Sequence, residues 1–140
     1  MTLEEFYAAV GGNYSGVLSR IRNEAMIKKF VIKYTADKTC DMLKTAFEEK
    51  GWQTAFRAAH TLKGVAQNLS FDALYEVSAV LTEELRGEKA PDNREMFDKV
   101  IAEHEKLVEL AKNIDWYKKA FLLRRAFFIG QNNKKTIKYE

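Results

Sequence analysis

Only one proline, Pro91, interrupts this chain of 140 residues, and only seven glycines punctuate it. Proline breaks helix interiors and glycine weakens them, so a chain poor in both is free to form long helices. Apolar residues recur at three- and four-residue spacing, and no run alternates with period two over a convincing length. Leu3 to Val10 reads as a short helix stopped by Gly11 and Gly12. Asn13 can cap a turn or two over 14–21, and Asn23 can cap a helix carrying Met26, Ile27, Phe30, Val31 and Tyr34. Asp37 can cap the next, with Cys40, Leu43 and Phe47 on one face and Gly51 at its end. A central helix runs from Trp52 to Leu69. Asp72 can cap a following helix with Leu74, Val77, Leu81 and Leu85 inward, ending near Gly87. After the loop 87–93, a last bundle helix runs from Arg94 to Asn113 with Phe97, Ile101, Leu107, Val108 and Ala111 inward. Short connections favour antiparallel neighbours. The expected fold is all-α: an up-down-up-down four-helix bundle with short additional N-terminal helices and a C-terminal helical extension.

Charge divides the chain. Residues 114–140 hold seven Lys or Arg against Asp115 and Glu140, a surplus of +5, so the net charge of +3 leaves residues 1–113 at −2. We therefore expect a bundle domain over 1–113 and a basic, aromatic extension over 114–140. Within the extension "WYKKAFLLRRAFF" should be helical. Trp116, Ala120, Leu123 and Phe127 make one apolar stripe, and Tyr117, Phe121, Leu122 and Phe128 widen it. Two readings stand: a final helix packed on the bundle or on a second subunit, which we favour, or a basic amphipathic anchor on anionic lipid or an anionic partner. From Gln131 onward the residues have the character of a frayed end.

The remaining composition excludes more than it suggests. A net charge of +3 is too small to imply nucleic acid, and the paired "KK" and "RR" of the extension lack the pattern of a nucleic-acid reader. Cys40 is the only cysteine, so no intramolecular disulfide can form. The acidic N-terminus has no long apolar run and does not read as a signal peptide, and no stretch approaches the roughly 20 apolar residues of a membrane span. A cytoplasmic location is expected. No Gly-rich nucleotide loop is present, so the chain should neither bind ATP nor phosphorylate itself. His60, His104 and Cys40 fall on different predicted helices and give no metal-ligand spacing, so no metal is expected. His104 keeps step with Phe97, Ile101, Val108 and Ala111 and should face the core or its edge. Cys40 reads as a small buried residue, and the Glu pairs at 4–5, 48–49 and 83–84 as solvated faces.

The central helix carries the candidate chemistry. At about 100° per residue, Trp52, Phe56, Ala59, Leu62, Ala66 and Leu69 form one apolar stripe. His60 falls roughly 120° from the middle of that stripe, hence at the boundary or in solvent. Lys63, Gly64 and Gln67 continue its side of the helix. Glycine within a helix costs about 1 kcal/mol relative to alanine, so Gly64 calls for a reason. An unperturbed imidazole is a competent nucleophile near pH 7. A phosphoryl group on its ring would place negative oxygens over the adjacent turn. There Lys63 can offset the charge, Gly64 leaves room for the group or an approaching partner, and Gln67 can donate a hydrogen bond. Taken singly, each residue also reads as ordinary surface. Spacing alone leaves both readings standing.

The stretch "AHTLKGVAQNL", with Ala59, His60, Leu62, Lys63, Gly64, Ala66 and Leu69, resembles the signature of histidine-containing phosphotransfer (HPt) domains. The flanking helix order over residues 1–113, including the N-terminal "VGG", is similar too. The resemblance implies a helical bundle with His60 exposed as phosphoryl acceptor and with Lys63 and Gly64 supporting the group. Gln67 lies where the family pattern varies. It implies a phosphorelay carrier that is not itself an enzyme. Its partners would be receiver domains of response regulators or hybrid sensor kinases. It would need no cofactor of its own, Mg²⁺ belonging to the receiver. The N-terminal helix is implied in docking, which makes Phe6 and Tyr7 candidates. Ser70 stands where members often have glycine, a departure that bears on the turn between two helices. The alternative function is a non-catalytic helical adaptor whose basic tail binds a protein or anionic lipid.

Overall fold

In the computed structural model, residues 1–120 together with Leu122 and Leu123 are described. Among the described residues the bounded helices are, in order, α1 (Leu3–Ala9), α2 (Tyr14–Ile21), α3 (Glu24–Thr35), α4 (Thr39–Glu49), α5 (Trp52–Asn68), α6 (Asp72–Glu84) and α7 (Glu95–Lys112). No strand occurs among the described residues. Helices α4 to α7 form the bundle, with α5 between α4 and α6, and α6 against α7. Stacked rings of Phe47 and Phe97, 4.0 Å apart, join α4 to α7. Helix α3 packs on α2 and α7.

Most helix starts follow the expected caps. The side chains of Asn13 and Asn23 accept from Gly16 N and Met26 N, satisfying amides that the first turn leaves free. Asp37 accepts from Thr39 N at 2.7 Å although Lys38 holds the boundary position. Asp72 is a correction: Phe71 occupies the cap position and makes no side-chain cap bond, and Asp72 is the first helical residue. There its carboxylate still complements the positive end of the helix dipole.

The inward faces hold with informative exceptions. Val77, Ile101 and Val108 are only half-buried, whereas Val100, Ser78 and Thr82 are buried. Thr82 satisfies its hydroxyl by donating to the Ser78 carbonyl one turn back, at 2.7 Å. Cys40 is buried, and burial raises its thiol to about 11, which keeps it protonated and inert. Glu84 departs from the expected solvated face. It is half-buried, and desolvation raises its carboxyl above the ordinary range.

Residues 115–120, 122 and 123 are helical. Ile114 is buried, and Trp116 and Tyr117 pack against the bundle core, with Trp116 edge-on to Phe6 at 6.2 Å. The packed body therefore continues past residue 113. Leu123, expected on the inward stripe with Trp116, is instead exposed. Phe121, Phe127, Phe128 and the end from Gln131 lie outside the described residues.

The turn between α5 and α6 is clamped by the N-terminal segment. Tyr7 Oη donates to the Leu69 carbonyl at 2.7 Å, Asn13 N to the Ser70 carbonyl at 2.8 Å, and Ala73 N to the Gly11 carbonyl at 3.0 Å. Gly12 is needed for this approach, because a Cβ there would stand 2.7 Å from the Tyr7 ring and 3.0 Å from the Ser70 carbonyl. Ser70 itself is left-handed, with φ of 55°. That conformation explains why glycine suits the position: a side chain there costs on the order of 1 kcal/mol. Its hydroxyl is buried in a hydrogen bond from the Arg20 guanidinium, which also donates to the Gln67 carbonyl at 2.8 Å. Strain and hydrogen bond offset one another. Ser70→Gly should therefore change unfolding free energy by less than about 0.5 kcal/mol. Ser70→Ala keeps the strain and loses the bond, and should cost about 1–2 kcal/mol in urea titrations.

His104 lies at the core edge, as expected, with Nδ1 2.6 Å from Tyr34 Oη. Burial lowers the imidazole below its ordinary range and raises the phenol, so the hydrogen bond joins a neutral ring to a neutral hydroxyl. Unfolding restores the ordinary imidazole value near 6.5, so below it the unfolded chain binds the extra proton first. This contribution to stability is complete above about pH 6.5 and is lost as the pH falls toward the lower folded value. The urea midpoint should drop between about pH 7.5 and about pH 5.5, and by less in His104→Gln.

Candidate functional site

The orientation of α5 decides the site. Ala55, Ala58, Ala59, Leu62 and Ala66 are buried, and these mostly small residues bring α5 close to its neighbours. His60 is exposed on the opposite side, Lys63 and Gly64 are half-buried, and Gln67 is exposed. The four residues share the outer surface over two turns of one rigid helix. A Cβ built on Gly64 would meet nothing within 4 Å. The glycine is therefore not required by packing inside the molecule, and the space above it is open.

Phe56 and Arg86 were not read from the sequence as part of this surface. Phe56, assigned to the inward stripe, is only half-buried, and its ring stacks on His60 with centroids 6.2 Å apart and planes inclined by 16°. Trp52 is likewise half-buried and sits edge-on to Phe47. The Arg86 guanidinium, from the end of α6, lies 5.6 Å from the Phe56 centroid and donates twice to Glu83, at 2.7 and 2.8 Å. Those hydrogen bonds hold the Glu83 carboxyl below its ordinary range, and Lys63 contributes in the same direction. The Phe56 ring thus contacts the imidazole and also a guanidinium from the turn just past α6. The Phe56–His60 spacing of four residues was a visible signal for the first contact. Nothing local could have revealed Arg86, which is 26 residues from His60 in the chain.

Phe6 and Tyr7 are corrected as docking candidates. Both are fully buried, Phe6 against Tyr7, Phe71 and Trp116, and Tyr7 in its bond to Leu69. They brace the end of α5 from within. Apolar surface beside the histidine helix comes from Ile21, Phe30, Val65 and Leu69, which line an open groove of about 560 Å³ edged by Arg20 and Asn68. No cluster of three or more His, Cys, Asp or Glu side chains that could hold a metal occurs among the described residues.

The family model described as Hpt domain matches residues 32–114, more than half of the chain. The chain belongs to the Hpt domain family, whose members are phosphocarrier modules of two-component signalling that engage receiver domains. No curated protein and no solved structure matches it.

If Gly64 serves an external partner, alanine there should help the isolated molecule. Gly64→Ala is expected to raise unfolding free energy by about 0.5–1 kcal/mol, since it removes the helical penalty of glycine and meets no atom. Chemical denaturation of the two proteins side by side measures this.

Proposed function

We propose that His60 is the phosphoryl acceptor of a phosphorelay carrier, taking the group from a receiver-domain aspartate and passing it to another receiver. The observation that carries this reading is the exposed imidazole beside the open volume over Gly64. A docking receiver must bring its aspartyl phosphate in line with a ring nitrogen, and any side chain at the next turn would stand in its path. The N–P bond forms as the acyl P–O bond breaks, and the electron pair returns to the aspartate carboxylate. Onward transfer reverses this: the N–P bond breaks as a second aspartate attacks.

Lys63 stands one turn along the helix, where its ammonium offsets phosphoryl charge. Arg86 lies over Phe56, the ring that stacks on His60, and is paired with Glu83. Gln67 is two turns from His60, near 10.5 Å along the axis by helix geometry, so its role is contact with the partner rather than with the ring. Ile21 and Val65 replace Phe6 and Tyr7 as the apolar docking residues. The chain acts as acceptor and donor only. Nucleotide chemistry lies with other proteins, and the divalent cation that neutralises the transferring group lies with the receiver.

The test is transfer from receivers charged with acetyl phosphate. Wild-type protein should acquire an acid-labile, alkali-stable phosphate, and His60→Gln should acquire none. Equal labelling of the two proteins would rule the reading out.

A further inference from the structure

The basic segment after α7 leaves a surface that the histidine site does not use. It borders α3 in an open groove of about 910 Å³, lined by Lys28, Lys29 and Lys33 on one side and Trp116, Tyr117 and Ala120 on the other. Lys28 Nζ lies 5.9 Å from the Trp116 ring centroid. Among the described residues, none of the three lysines forms an ion pair, and the groove has no acidic lining residue. Just beyond, Leu122 and Leu123 are 62% and 64% exposed, the two most exposed large apolar side chains among the described residues. A second concave surface, lined by Lys112, Tyr117, Lys118 and Leu122, adjoins it through Tyr117.

We propose that this face binds an anionic phospholipid surface peripherally. Three features converge on that chemistry. Exposed paired leucines gain by entering the acyl boundary. Half-buried Tyr117 presents an amphipathic ring at the level where headgroups meet hydrocarbon, beside the apolar edge of Trp116, whose indole nitrogen is buried. Lysines from α3 and from the segment flank the rings, and their long stems let the ammonium groups reach lipid phosphates. The concentration of seven basic residues against two acidic ones over 114–140 sets the sign of the attraction. No helix among the described residues is long and apolar enough to cross a membrane, so the contact is with the surface. An acidic peptide would use the lysines but would give the exposed leucine pair no apolar phase to enter. Helix α5 contributes no residue to the groove, so the proposal does not depend on the role of His60.

Co-sedimentation of the full chain with vesicles tests it. Phosphatidylcholine vesicles containing phosphatidylglycerol should bind the protein, and phosphatidylcholine alone should not. Raising the salt should weaken the binding. Leu122→Glu/Leu123→Glu and, separately, Lys28→Gln/Lys29→Gln/Lys33→Gln should each lower partitioning by about tenfold or more. Circular dichroism should confirm that both variants keep the helical content of the parent. Should one variant lose it, the other, at independent positions, decides the outcome. No binding to anionic vesicles at low salt would overturn the proposal. So would anionic binding that folded variants leave unchanged, and so would capture of polyglutamate by a protein that ignores the vesicles.

Discussion

Burial of one face of α5 is the constraint on which the rest depends. Ala55, Ala58, Ala59, Leu62 and Ala66 can leave water only if the helix is rotated so that they meet α4 and α6. That rotation puts His60 outside, and no local change can turn the imidazole inward without exposing Leu62 or Ala66. Fully burying a leucine contributes about 1.5–3 kcal/mol, so the hydrophobic term fixes the presentation of the ring far more firmly than any polar contact of the histidine could. The imidazole is therefore carried by a rigid element, and its exposure is set by the packing of the opposite face.

The N-terminal segment supports this arrangement from behind. Tyr7, Gly11 and Asn13 each hydrogen-bond the α5–α6 turn, and Arg20 reaches its Gln67 and Ser70. These bonds satisfy backbone groups that the end of α5 would otherwise leave unpaired in a buried setting. Phe6 and Tyr7 accordingly brace from within the helix that carries His60. The same packing extends through Trp116 into the basic segment, so the core does not end where the charge pattern changes. Two surfaces of different chemistry, one around an imidazole and one around lysines and leucines, are thus held on a single packed body.

Much of this was legible in the chain. Scarce proline and three- and four-residue apolar spacing determined an all-helical bundle, Asn13 and Asn23 marked two helix starts, and the run from Ala59 to Leu69 placed His60, Lys63 and Gly64 on the outer side of one helix. All of these are local: they follow from the period of the helix and from side chains bonding their own first turn. Only the tertiary structure decided what lies across from that helix. It buried Phe6 and Tyr7, turned Phe56 out against His60, brought Arg86 beside Phe56 and placed Ser70 in a left-handed turn secured by Arg20. It also left Leu122 and Leu123 in solvent. The physical reason is that helical periodicity specifies a direction around one axis, whereas contact between helices depends on crossing, rotation and depth of packing, which are set jointly by distant side chains.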